Sequence, residues 1–93
     1  MIHELLAEGE RNARPGRDLS RVLGISMREL TRTVELERRG GKPICATACK
    51  KNPGYFLAAN KEEMERYCRS LQHRAGELHK TRKACIKTME HLP

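Results

Sequence analysis

Arg28, Arg32, Glu35 and Arg39 recur at steps of four, three and four residues, the strongest chemical signal in the chain. At 3.6 residues per turn this spacing forms one stripe of a helix, opposite the apolar positions Leu30 and Val34. A guanidinium offers a planar fork that bonds two acceptors at once, such as O6 and N7 of guanine, and each such pair discriminates against a wrong base by about 1–3 kcal/mol. Arg28 and Arg32 are therefore candidates for reading base edges, with Thr31 beside them suited to a thymine methyl or a phosphate. Ser26 and Met27 join the set because the first residues of a helix laid in the major groove come nearest to the bases. The plain alternative is a solvated helix face on which Arg28 and Arg32 pair with Glu35, worth only tenths of a kcal/mol.

A second basic group follows. Lys50 and Lys51 stand in a polar stretch over 47–53, with Lys42, Arg38 and Arg39 just before it. Such charges position a protein on phosphate without reading sequence. Arg17 and Arg21 are placed to touch a nucleic-acid backbone as well. Cys45 and Cys49 form a C-x3-C pair, but a structural zinc site needs four ligands and no second Cys or His pair stands nearby. Cys68, His73 and His79 point different ways around a helix or lie too far apart along it to share one metal. The simpler expectation is Cys45 as a small apolar strand residue and Cys49 as a free loop thiol, with no cofactor and no metal. No phosphate loop, nucleophile elbow or paired carboxylate appears, so an enzyme is not expected.

These side chains need elements to hold them. Ile2, Leu5, Leu6 and Ala13 predict a short first helix closing near Gly9. After the breaker Arg14-Pro15-Gly16, the residues Leu19, Val22 and Leu23 mark a second helix of about two turns that stops at Gly24. Ser26 caps a third helix, with Glu29 three residues on completing a capping-box pattern, and this helix ends at Gly40-Gly41. The bend Gly24-Ile25-Ser26 then joins two helices into a helix-turn-helix over 18–40: glycine admits a left-handed backbone, Ile25 anchors the turn, and Ser26 starts the next helix. Ile44-Cys45-Ala46 and Gly54-Tyr55-Phe56-Leu57 read as two short strands, a basic wing over 43–57.

From Asn60, whose side chain with Glu63 repeats the capping pattern, a helix without proline runs nearly to Leu92, about 30 residues or roughly 45 Å. It carries the stripe Met64, Cys68, Leu71, Ala75, Leu78, Arg82, Cys85, Met89 and Leu92, alternating four and three residues as a coiled-coil seam does. The body covers the first turns, near Met64, Tyr67, Cys68 and Leu71, and the rest of the seam predicts a homodimer, with Leu71, Ala75, Leu78, Cys85, Met89 and Leu92 as its contacts. Lys80, Arg82, Lys83 and Lys87 make a basic cluster near its far end. The fold class expected is mainly α with a small β-hairpin: a winged helix-turn-helix over 1–59, then a long C-terminal helix over 60–93.

The stretch Leu23-Gly24-Ile25-Ser26, with Leu30, Val34, Gly40, Pro43-Ile44 and Gly54-Tyr55-Phe56-Leu57, resembles the winged helix-turn-helix domain of the biotin-repressor type. The likeness runs over about two thirds of the chain and extends to small winged-helix proteins carried by bacterial prophages. It implies double-stranded DNA binding through the third helix and the wing, usually as a dimer. Pro15 stands where that family commonly has a Ser or Thr cap, the wing tip is long, and no ligase or effector domain follows, so biotin chemistry and small-molecule sensing are not implied.

The bulk numbers agree with this frame. The 93 residues suffice for one compact domain with an appended element, and 19 Lys and Arg against 12 Asp and Glu leave a net charge of +7, which favours polyanionic partners. The N-terminus lacks the pattern of a signal peptide and no apolar run is of membrane-spanning length, so a cytoplasmic protein with reduced thiols is expected. A transcriptional regulator is the leading expectation. The competing one is a protein–protein interaction module, a replication or phage-control adaptor built on the same fold.

Overall fold

The computed structural model describes residues 1–47 and 53–93. Two 3-10 turns, Ile2–Leu5 and Glu10–Asn12, precede helix α1 (Gly16–Leu23) and helix α2 (Met27–Arg39), followed by strands β1 (Ile44–Thr47) and β2 (Gly54–Leu57) and the long helix α3 (Lys61–Met89). The expected class is found: mainly helical, with a two-stranded antiparallel hairpin and a long C-terminal helix. Ile44 pairs with Leu57, Cys45 with Phe56, Ala46 with Tyr55 and Thr47 with Gly54. Among the described residues no helix is long and apolar enough to cross a membrane.

The N-terminal segment is not the single short helix its apolar spacing predicts. Leu6 is extended and Gly9 takes φ +94°, which breaks any helix there. The chain instead runs along the outer edge of β2. The Leu57 N–H donates to the Ala7 carbonyl and the Gly9 N–H to the Leu57 carbonyl, both at 2.9 Å, while Arg14 and Tyr55 exchange N–H···O bonds at 2.8 Å in each direction. Covering this edge satisfies backbone groups that would otherwise be open to another chain. Helical periodicity in a short segment loses here to the demand of an unpaired strand.

Two apolar clusters hold the body. Ile2, Leu6, Leu19, Leu30, Val34 and Ile44 join the N-terminal turn, both short helices and β1, with Ile25 packed against them as the turn requires. Ala13, Cys45, Phe56 and Tyr67 join the hairpin to α3. Of the three apolar residues that mark α1 only Leu19 is buried, while Val22 is 62% exposed. The helix has 8 residues, and two turns bring a single apolar position fully under α2. Gly16 sits at the closest approach: a Cβ there would lie 3.0 Å from the Met27 methyl and 3.3 Å from Leu30 and Tyr55 side-chain carbons.

One buried carboxylate ties the N-terminus to α2. Glu37 Oε2 accepts the Ile2 N–H at 2.9 Å, and Oε1 accepts the His3 N–H at 2.9 Å and faces the His3 imidazole Nδ1. Burial works to raise the Glu37 pKa, but the hydrogen bonds from His3 and Ile2 outweigh it and hold the carboxyl below its ordinary 4.5. A lowered folded-state pKa means that this stabilisation is in place above pH 4.5 and is lost as the pH falls from there through the folded value. Glu37→Gln is expected to cost about 1–3 kcal/mol at neutral pH, because an amide NH2 would face donors. It should also flatten the loss of stability in acid, measured by urea unfolding across pH; an unchanged acid limb would disprove the role.

Candidate nucleic-acid interface

Local backbone chemistry builds the helix-turn-helix as expected. Gly24 ends α1 at φ +66°, ψ +33°, the left-handed region that suits glycine, and the Ile25 N–H returns to the Ser20 carbonyl at 3.1 Å. Ser26 Oγ accepts the Glu29 N–H at 3.1 Å and caps α2. The Glu29 carboxylate takes the Ser26 hydroxyl at 3.3 Å rather than the backbone N–H of a full capping box. Before α1, the Pro15 carbonyl accepts the Asp18 and Leu19 N–H groups, so the absent Ser or Thr cap is replaced only by backbone bonds.

The α2 stripe faces outward. Ser26, Met27, Arg28, Thr31, Arg32 and Arg39 are exposed, as are Arg17 and Arg21 on α1 and Lys42 after α2. Arg28, Arg32 and Arg39 fall within about 40° of one another around the helix axis at 3.6 residues per turn. The Thr31 hydroxyl donates to the Met27 carbonyl at 3.0 Å, leaving its lone pairs and methyl outward. Leu36, which periodicity left unassigned, is exposed beside Arg32 and adds apolar surface to the stripe. Arg17, Met27, Pro53 and Gly54 line a shallow cleft of about 250 Å³, so the start of α2 and the start of β2 stand side by side.

Arg38 is where the expectation fails. Placed by sequence at the base of the wing for phosphate contact, it instead turns inward and is half-buried. Its Nε donates to the Ile44 carbonyl at 2.8 Å and one terminal nitrogen meets Glu35 Oε1 at 2.8 Å. Its guanidinium carbon lies 4.7 Å from the Tyr67 ring centre and 5.9 Å from that of Tyr55. Aromatic faces attract a cation, so this one residue fastens α2 to both strands and to α3. Two tyrosines twelve residues apart give no periodic signal, which is why the clamp was not legible.

Glu35 is corrected by the same contact. It is half-buried and bound to Arg38, rather than standing free on the outward stripe or neutralising Arg28 and Arg32. Among the described residues, Arg28, Arg32 and Arg39 have no ion-pair partner. Three cations are thereby left to solvent on one face.

Lys50, Lys51 and Cys49 lie outside the described residues. Cys45 is fully buried on β1 among Ala13, Phe56 and Tyr67, as a small apolar residue. Burial, with the Glu63 charge second, pushes its thiol up to about 11, so it stays protonated and is a poor metal ligand at neutral pH.

At the start of α3, Asn60 Oδ1 accepts the Glu63 N–H at 2.9 Å. The Glu63 carboxylate reaches the Ala59 N–H at 2.8 Å and the Glu10 N–H at 3.1 Å, and these bonds hold its pKa below the ordinary value. Met64 and Tyr67 pack on the body. The sequence extends this cover through Cys68 and Leu71, but Cys68 is exposed and Leu71 is 41% exposed. Beyond Tyr67 every residue is exposed, including Ala75, Cys85 and Leu78, the last at 72%. The Cα radius of gyration is 16.2 Å, against about 12 Å for a compact chain of this length. Helix α3 is therefore a projecting rod with an uncovered apolar stripe, to which Ile86, missed by the seam reading, also belongs.

Comparison of the chain with protein-family models, with curated proteins and with solved structures gives no match in any of the three.

Proposed function

We propose that this protein binds double-stranded DNA sequence-specifically, with α2 in the major groove and the wing on the backbone, and that it acts as a transcriptional regulator. The observation that carries the reading is the disposition of charge on α2. Glu35 is held by Arg38 and the Glu29 carboxylate bonds the Ser26 hydroxyl, so Arg28 and Arg32 stand ready for acceptors from outside the protein. Arg28 and Arg32 read base edges, Thr31 contacts a methyl or a phosphate, and Arg17, Arg21, Arg39 and Lys42 set the register on phosphates. Lys50 and Lys51, outside the described residues, add further phosphate contacts. The uncovered stripe of α3 supports a homodimer, through Leu71, Ala75, Leu78, Cys85, Met89 and Leu92.

Salt titration of binding to a random duplex tests the reading. Neutralising about five phosphates gives a slope of about −4.5 for log K against log salt. A measured slope near zero, or no affinity for any duplex at low salt, would reject it. The second reading, a protein-interaction module, draws on the exposed α3 stripe and would then account for the fold.

A further inference from the structure

We propose that α3 pairs with α3 of a second copy in antiparallel fashion, on a two-fold axis passing beside Gly76. This deepens the dimer reading above and rests on it. The stripe supplies the register. Its alternation of four and three residues maps onto itself when the helix is reversed about a point between Gly76 and Glu77. Cys68 then falls opposite the partner's Cys85, Leu71 opposite the partner's Arg82, and Ala75 opposite the partner's Leu78. Every layer joins one of the two alternating seam positions to the other, as antiparallel packing of two such stripes requires. A shift by one heptad in one direction fills fewer layers, and a shift in the other draws on Leu92, which lies past the end of α3 at Met89.

Charge and volume both oppose the parallel alternative. There each residue meets its own copy, so Arg82 would stand beside the partner's Arg82 in mid-seam, two like charges side by side. Ala75 against the partner's Ala75 would leave a gap. In the antiparallel pair, Arg82 lays its methylene stem on the partner's Leu71 and keeps its head in solvent. Ala75 faces the partner's Leu78, small against large, and lets the helices approach at the crossing.

The body agrees with this placement. Beside the first turns of α3 runs an open groove of about 270 Å³, lined by Ala46, Thr47, Tyr67, Ser70 and Arg74. In the proposed register the partner's Thr81 and the partner's Thr88 flank this groove, on the same side of the seam as Tyr67 and Arg74. The basic side chains Arg69, Lys80, Lys83 and Lys87 lie on the opposite side of α3 and stay in solvent, where their mutual repulsion is weak.

The arrangement sets a distance. Met64 and the partner's Met64 lie about 38 Å apart along the rod at 1.5 Å per residue. The two-fold axis is normal to the plane of the helix pair, so both bodies present the same face to the same side.

The native thiols supply the test. Within one helix Cys68 and Cys85 are about 26 Å apart, too far for a short bismaleimide to join. In a full-length Cys49→Ser background, where Cys45 is buried, the reagent is expected to give a covalent dimer. Cys68→Ala alone and Cys85→Ala alone should each abolish it, and co-expressing the two variants should restore it. Both substitutions are at exposed positions, and circular dichroism checks that the fold is kept. A covalent dimer from either single variant, which a parallel pair would give, overturns the proposal. So does the lack of a covalent dimer in the Cys49→Ser chain or in the co-expressed pair. The reaction contains no DNA, so a failure of duplex binding leaves this result untouched, and the reverse holds as well.

Discussion

Replacing Arg28 and Arg32 together by alanine should weaken binding to a selected duplex by roughly 30-fold to 20,000-fold, from about 1–3 kcal/mol per lost bidentate contact. Both side chains are exposed and unpaired among the described residues, so the thermal midpoint should hardly move. That separation of stability from affinity is the point of the experiment. A random duplex should suffer much less, because it loses two positive charges and no base readout. Lys42→Ala, in contrast, should weaken selected and random duplexes alike and reduce the salt slope by about one. Equal losses on both duplexes for the arginine pair would assign the stripe to phosphate contact, and no loss on either would remove α2 from the interface.

The largest effect on the fold is expected at Gly54. Its φ is +139°, and a Cβ built there would lie 2.1 Å from the Arg14 carbonyl oxygen and 2.7 Å from the Pro15 nitrogen. Those are backbone atoms, so no side-chain rotation relieves the clash. Gly54→Ala must push β2 off the segment before α1 and disturb the paired Arg14–Tyr55 hydrogen bonds. Backbone strain of about 1–3 kcal/mol and two bonds of about 1 kcal/mol each add to roughly 3–5 kcal/mol, a large share of the stability of a small domain. Gly24→Ala is the control. It too has positive φ, at +66°, but a Cβ there meets nothing within 4 Å, so a cost of about 1 kcal/mol is expected. Urea midpoints of the two variants decide the matter, and similar values would mean that the approach at Gly54 relaxes easily.

The elements that could be read directly are those whose signal is local. Ser26 before Leu30 and Val34 marks the start of α2 through a hydrogen bond three residues long, and Asn60 does the same for α3. Gly24 marks a turn because few other residues tolerate its backbone angles. The outward stripe of α2 was legible because Leu30 and Val34 identify the buried side of the helix. Errors arose wherever the partner lay far away in sequence. The segment over 2–13 has helical apolar spacing, yet residues 7–9 are needed as an edge strand by Leu57. Arg38 and Glu35 look like members of a solvent-facing row. Ile44, Tyr55 and Tyr67, brought together by the fold, draw Arg38 inward, and Glu35 follows.

Capping, glycine turns and apolar periodicity act across a few bonds, so the residues themselves dictate where the helices and the hairpin form and which side of α2 meets water. Which charges remain free is a different kind of question, because a cation's fate depends on which carbonyls, rings and carboxylates packing delivers to it. Only the assembled body decided that Arg38 becomes a clamp, that Glu35 is thereby occupied, and that Arg28, Arg32 and Arg39 are left facing outward. The same holds for α3: its stripe is written in the chain, but how far the body covers it was set by where Tyr67 finds its pocket.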